Sequence, residues 1–271
     1  MIKLSFDKLT LEALMNTNNN KIQLIKDNLD FYIYINIKNK SDKLLVHSNG
    51  AIDLKKSKPP VFLRNSWKDE IDASCIFLDD RTIHNSPLNL AWGIGNPDRH
   101  YIKDYSEIIK KIATLLNIDD SNITYYGSSG GGFISIMLST LHKKSKAIVN
   151  NPQTFVHRYS KNTIEKVYGF IFPGLTIDEV NRKYAERLST TALMKTVKNV
   201  PEIFYIQNRL SENDMKQHYY PFLQMMDKYN MDTSSIKLIL YNDKKAGHNP
   251  ISKDKTLELI NGIINNNITI Y

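Results

Sequence analysis

Asn122-Ile123-Thr124-Tyr125-Tyr126-Gly127-Ser128-Ser129-Gly130-Gly131-Gly132-Phe133-Ile134-Ser135-Ile136-Met137-Leu138 reads as a strand, a tight glycine turn and a helix. β-Branched and aromatic residues fill its first part, glycines its middle, and an apolar helical run its end. Within it, Gly127-x-Ser129-x-Gly131 has the spacing of a nucleophile elbow. Such a turn strains the serine backbone and lifts its hydroxyl above the sheet. Glycines two residues to either side let strand and helix approach without Cβ clashes. The helix N-terminus then aims backbone N–H groups at developing negative charge, with Gly130 N–H the first of them. By register Ser128 is the x residue, and its hydroxyl is expected to stabilise the turn. Two other glycine-rich readings fail. A P-loop needs Lys followed by Ser or Thr after the last glycine, where Phe133-Ile134 stand. The dinucleotide pattern lacks its third glycine, here and at Gly93-Ile94-Gly95.

On either side of this segment, short apolar runs alternate with helical spacing. Strands are expected at 31–37, 44–47, 74–78, 123–126, 147–149, 203–206 and 236–241, and helices at 105–116, 133–141, 219–229 and 257–264. Several of the strands are continuously apolar, as strands covered on both faces are. Alternation of this kind calls for a mostly parallel sheet flanked by helices, in one domain. The region 153–200 shows helical pieces and no convincing strand, and is read as a helical cap insertion. Its aromatics Phe155, Tyr159, Tyr168, Phe170, Phe172 and Tyr184 are candidates to shelter an acyl-enzyme or stack on a sugar, against the plainer role of packing the cap. The asparagine tract 16–20 reads as a loop and 265–267 as a frayed end. There is no internal repeat.

The order of the remaining polar residues fits the α/β-hydrolase fold, which places its acid after a later strand and its histidine before the last helix. The final strand is followed by Asn242-Asp243-Lys244-Lys245-Ala246-Gly247-His248-Asn249-Pro250 and a helix, so His248 stands where the general base belongs. Strand 203–206 is followed by a loop containing Glu212 and Asp214. Either carboxylate would orient the imidazole and stabilise its protonated form; Asp214 is preferred, although a helix N-cap would explain it equally simply. The loop His47-Ser48-Asn49-Gly50-Ala51 is expected to supply the second oxyanion N–H, near Gly50 or Ala51, and Asn49 a polar contact to substrate. Asn151 and Gln153, in Asn150-Asn151-Pro152-Gln153, are candidate substrate-binding groups, with an ordinary turn as the alternative for both loops.

Composition limits the alternatives. The 271 residues are 41% hydrophobic and 24% charged, which suits a globular protein with a substantial core. The net charge of +8 is spread along the chain, so a solvated surface with a modest attraction for an anionic substrate is expected rather than a polyanion site. Nucleic acid is not an expected partner, since no basic run with interleaved aromatics occurs. His47, His84, His100, His142 and His157 lack metal-ligand spacing, so no metal is expected. Cys75, the one cysteine, lies in an apolar run and reads as a buried strand residue. With charges at the N-terminus and no long apolar stretch, neither a signal peptide nor a membrane span is expected, and the compartment read from this is cytoplasmic.

Taken together, Gly127-Ser128-Ser129-Gly130-Gly131-Gly132, Asn151-Pro152-Gln153 and Gly247-His248-Asn249 resemble the capsular polysaccharide O-acetyltransferases of the meningococcal serogroup A type. More distantly, they resemble the acetyltransferase component of the accessory secretion system of Gram-positive bacteria. The similarity consists of short islands, in order, between Leu44 and Pro250. It implies an α/β-hydrolase fold, a serine triad built on Ser129 and His248, and acetyl transfer from acetyl-CoA, as co-substrate, to a carbohydrate hydroxyl. The family's aspartate has a histidine four residues after it, as Asp214 has His218, but a shorter loop before it; residues 209–213 are extra here. The capsule enzymes carry Lys where Gly130 stands. Two alternatives accompany the transferase reading: a carboxylesterase using water as acceptor, and an idle scaffold in a secretion or assembly complex.

Overall fold

Nine strands form one sheet in the computed structural model, which describes residues 1–267. In chain order they are β1 (Ile2–Ser5), β2 (Asn20–Lys26), β3 (Leu29–Asn36), β4 (Leu44–Ser48), β5 (Ser74–Leu78), β6 (Ile123–Ser128), β7 (Lys146–Asn150), β8 (Glu202–Asn208) and β9 (Ile236–Tyr241). Their order across the sheet is β1-β2-β3-β5-β4-β6-β7-β8-β9. Only β3 runs against its neighbours β2 and β5; every other pairing is parallel. The helices are α1 (Leu11–Asn16), α2 (Tyr101–Leu115), α3 (Gly130–Leu141), α4 (Lys161–Ile171), α5 (Ile177–Lys183), α6 (Ala185–Leu188), α7 (Thr190–Val197), α8 (Glu212–Asp214), α9 (Tyr220–Lys228) and α10 (Lys253–Ile264).

The pleat sends successive residues of each central strand to opposite layers. Tyr125 of β6, Ala147 and Val149 of β7, and Ile203 and Tyr205 of β8 face the layer containing α2, α3 and α9. Tyr126, Ile148, Phe204 and Ile206 face α10 and the segment around Phe62. Helix α3 is buried from Gly130 to Thr140. Covering a side chain such as Phe133 stabilises the fold by about 1.5–3 kcal/mol, which fixes α3, and the turn that feeds it, against the sheet.

All seven expected strands and all four expected helices are present; 74–78 and 236–241 match at both ends, and the others are shifted at one end or both. β6 and β8 run two residues further than their apolar runs, through Gly127-Ser128 and Gln207-Asn208, because parallel pairing to β7 and β9 continues beyond the last apolar residue. β1 and β2 are additions, and Asn20 opens β2 rather than ending a loop. The tail at 265–267 is not frayed: the Asn265, Asn266 and Asn267 N–H groups close on helix carbonyls, and Asn265 also bonds Lys43 and Asp72. The segment 153–200 holds α4 to α7 and one isolated bridge, Phe155 to Ser189. Four of its six aromatics, Phe155, Tyr168, Phe172 and Tyr184, are buried in packing. Phe172 stacks on Tyr184 with centroids 4.3 Å apart. Tyr159 lies edge-on to Trp92, and Phe170 faces solvent.

Candidate active site

β6 ends in a turn that holds Ser129 at φ 55° and ψ −125°, a backbone region that L-residues rarely occupy. The turn is tight enough that a Cβ on Gly127 would stand 2.3 Å from the carbonyl carbon of Gly131. A Cβ on Gly130 would stand 2.6 Å from Leu90 Cδ1 and 3.3 Å from Trp92 Nε1, so a larger residue there requires Leu90 to move.

From that turn the serine hydroxyl lies 2.9 Å from His248 Nε2. The opposite ring nitrogen, Nδ1, is 2.9 and 2.8 Å from the two Asp214 carboxylate oxygens. Asp214 is buried at the end of α8 and also accepts the Ser211 hydroxyl at 2.5 Å. As Asp214 is acceptor-only when ionised, it fixes the proton on Nδ1 and leaves Nε2 to accept from Ser129. Glu212 points away, with its side chain 84% exposed and 3.6 Å from Lys216. From the end of β8 at Asn208 the chain turns through 209–211 into the short helix α8, whose last residue, Asp214, meets His248.

The three polar residues expected to meet substrate are all buried and have other partners. Asn49 donates to Val61 O and accepts from Leu63 N, so it holds the 61–63 segment and does not line the site. Asn151 donates to Tyr241 OH, His248 O and Asn249 O at 3.0, 3.1 and 3.1 Å, and accepts from Asn208 N at 2.8 Å. It is a tether for the histidine loop. Gln153 reaches Ser129 itself: its Nε2 donates to Ser129 Oγ at 3.2 Å, while its Oε1 accepts from Trp92 Nε1. Indole is a donor only, so Trp92 sets the amide with its N–H side toward the serine.

Gly50 lies against the elbow. A Cβ at this position would be 3.3 Å from Ser128 O and 3.9 Å from Gly130 N. Gly50 and Gly130 thus bring their backbones together beside Ser129, and Ala51 next to them is exposed. Ser128 departs from its expected role. Its hydroxyl accepts from Arg64 Nη2 at 3.0 Å rather than stabilising the turn, and the same guanidinium is 3.3 Å from His47 Nε2. Burial, then the Arg64 charge, pushes His47 well below the usual histidine range. Burial likewise lowers His218 to about 4. Both rings are therefore neutral at neutral pH, and His218 Nδ1 accepts from Thr154 N at 3.3 Å.

Three contributors were not visible in the sequence: Trp92, Asn208 and the Arg64 contact to Ser128. Asn208 donates to Asp243 O and Gly247 O at 2.7 and 2.8 Å, securing the histidine loop from a second side. Its only signal is an Asn at the end of an apolar run, which is also the signal of an ordinary turn. Cys75 is fully buried in β5, and burial pushes its thiol up to about 12. Among the described residues no cluster of His, Cys, Asp and Glu has the arrangement of a metal site, and no helix is long and apolar enough to cross a membrane.

The chain has the α/β-hydrolase fold. Solved structures similar to it include the capsule O-acetyltransferase of Neisseria meningitidis serogroup A, with a TM-score of 0.65 and 13% identity over 89% of this chain and 96% of that one. A histidine mutant of that protein in complex with CoA is similar over 93% of this chain and 99% of that one, again at TM-score 0.65 and 13% identity. The glycosylation-associated Gap123 complex of Streptococcus agalactiae has a TM-score of 0.58 and 12% identity, over 79% of this chain and 40% of that one. An arylesterase has a TM-score of 0.57 and 15% identity, over 95% and 89%. The first and third of these are the two groups that the sequence islands resemble. No protein-family model and no curated protein sequence matches the chain.

Proposed function

We propose that the protein transfers an acyl group through an acyl-serine, with acetyl-CoA as donor and a carbohydrate hydroxyl as acceptor. The observation that carries this reading is the continuous relay from Ser129 Oγ through His248 to the buried carboxylate of Asp214. His248 Nε2 takes the serine proton as Oγ attacks the thioester carbonyl, and the Gly130 N–H with the N–H of Gly50 or Ala51 receives the oxyanion. The C–S bond then breaks and the departing thiolate takes the proton from His248. In the second half His248 deprotonates the acceptor hydroxyl, the acyl carbon passes to that oxygen, and Ser129 recovers its proton. Gln153 N–H bonds to the oxygen that is nucleophile in the first half and leaving group in the second. Likeness to the capsule O-acetyltransferase, one form of which binds CoA, supports the choice of donor and acceptor.

A second reading, a carboxylesterase, is favoured by one observation. The His248 side chain is 45% exposed, so water has access to the base. The idle scaffold is not favoured, because nothing interrupts the relay.

A fluorophosphonate probe should label Ser129, and Ser129→Ala should lose labelling and acyl turnover while its melting stays cooperative. Labelling at Ser128, or activity retained by the alanine variant, would refute the assignment. Acetyl-CoA consumption should be slow in water and rise strongly with an amino-sugar oligosaccharide, acetate being recovered on the sugar. Fast hydrolysis of acetyl esters that no carbohydrate alters would select the esterase.

A further inference from the structure

A cavity of about 530 Å³ lies between the start of α2 and the helices α5 and α6. Arg99 and Asp104 in its wall belong to an ion network with Lys26 and Asp27, Arg99 Nε donating to the Asp104 carboxylate at 2.8 Å and Nη2 at 2.7 Å. What remains is Lys103, Arg182, Lys183 and Arg187 against Asp98 and Glu186. None of these four cations forms an ion pair among the described residues. Arg187 is held in place through Nη1 to Asn96 O at 2.6 Å, a contact that orients its charge without neutralising it.

The floor of the cavity adds a helix end and a buried imidazole. His100 precedes the first turn of α2, a helix of 15 residues, and its side chain makes no capping bond. The Lys103 N–H of that turn closes on His100 O at 3.0 Å, so what the turn brings to the cavity is the positive end of the helix dipole. His100 is itself 6% exposed, and its Nε2 has no hydrogen-bond partner. Burial, followed by the charges of Arg187 and Lys103, lowers this imidazole to about 3, so it adds hydrogen-bonding capacity without adding charge. Unpaired cations, the positive end of a helix dipole and a buried unpartnered ring atom together suit a polyvalent oxyanion.

The position connects this cavity to the serine. α2 is entered from the carboxyl end of β5, which pairs in parallel with β4, as does β6, so the cavity opens on the sheet edge that carries the elbow. The connecting chain passes from Trp92, which contacts Gln153, to Asp98 at the cavity wall. Even fully extended, it reaches no more than about 22 Å. We propose that this cavity binds the phosphate groups of the acyl donor, a nucleotide thioester whose flexible arm reaches from there to Ser129. This assignment rests on the acyl-transfer reading. The binding chemistry is that of a diphosphate, which a phosphorylated carbohydrate acceptor also carries, and the test separates the two sources.

The intact protein and the triple variant Lys103→Glu/Arg182→Glu/Lys183→Glu, whose altered side chains are all exposed, would be titrated calorimetrically with sodium pyrophosphate. Each would then be assayed with acetyl-CoA and with acetylpantetheine, which lacks the nucleotide phosphates, and on p-nitrophenyl acetate. Pyrophosphate binding should weaken by at least about 100-fold in the variant, and its preference for acetyl-CoA over acetylpantetheine by at least about tenfold. Ester hydrolysis should be unchanged. Absence of pyrophosphate binding by the intact protein, or equal binding by the variant, overturns the site. An unchanged donor preference with a raised KM for a phosphorylated saccharide overturns the donor and gives the phosphates to the acceptor. Failure of the acyl-transfer reading looks different: neither protein hydrolyses the ester or labels at Ser129, while the pyrophosphate titration still decides the cavity.

Discussion

Gln153 has no freedom to choose which end of its amide faces the serine, because Trp92 can only donate to it. Removing the donor should therefore cost rate in both half-reactions. Gln153→Met should lower kcat by about 10²-fold, the scale of losing one preorganised donor at an active site. The same substitution leaves the buried Trp92 N–H unpaired, which destabilises by about 1–3 kcal/mol. In Gln153→Met/Trp92→Phe both partners are gone and that destabilisation should shrink, yet kcat should stay low. Recovery of kcat in the double variant would mean that Gln153 acts only through packing. The two candidate acids differ as sharply. Asp214→Asn should reduce turnover by about 10⁴-fold by favouring the imidazole tautomer protonated on Nε2, and Glu212→Gln, in solvent, should leave it nearly unchanged. Comparable losses in the two variants would refute the relay. The Ser/His/Asp spacing was readable because elbow and histidine loop are local motifs. The facts that Asn49 faces away and that Gln153 touches Oγ depend on side-chain direction in buried turns, which spacing does not encode.

The histidine loop is not held by its own secondary structure but by asparagines at the ends of two neighbouring strands. Asn151 follows β7, and Asn208 ends β8. Each bonds carbonyls on the loop between Asp243 and Asn249. Asn208→Ala should slow fluorophosphonate labelling of Ser129 by about tenfold or more, since small misplacements of a catalytic group are costly. A labelling rate equal to that of the intact protein would show that the loop keeps its position without the tether. The apolar centres of the strands were legible, but their polar ends were not. Gly127-Ser128 and Gln207-Asn208 look like turn residues and become strand only because a parallel neighbour supplies hydrogen bonds. In β2 the alternation of Ile22 and Leu24 with Lys21 and Gln23 was present in the sequence. The preceding asparagines hid its start, although Asn18 and Asn19 are themselves tied to β3 and the residue after it.

Over the whole molecule, charge shows most clearly what one dimension conceals. Lys103 and the basic residues at 182–187 lie far apart in the sequence, so no basic block is visible, yet the fold brings them to one cavity. Buried histidines make a second global property. His100 and His218 are held at about 3 and about 4, below the unfolded value near 6.5. The unfolded chain therefore binds protons that the native one refuses. Their stabilising effect is complete above about pH 6.5 and is lost as pH falls toward 4 and 3. Each costs up to about 1.4 kcal/mol per pH unit across that window. Urea midpoints measured from pH 7.5 to 4.5 should fall, and His100→Asn should fall less steeply by about that amount; parallel slopes would refute the assignment. The backbone of Ser129 also acts on the whole fold. At φ 55° and ψ −125° a residue with a side chain carries a conformational cost of about 1–3 kcal/mol, which glycine would not. Ser129→Gly should thus melt a few degrees above the parent while losing acyl transfer. Heat resistance and turnover then compete at a single residue, and a screen for thermostable variants that ignores activity would accept the loss of the Ser129 hydroxyl.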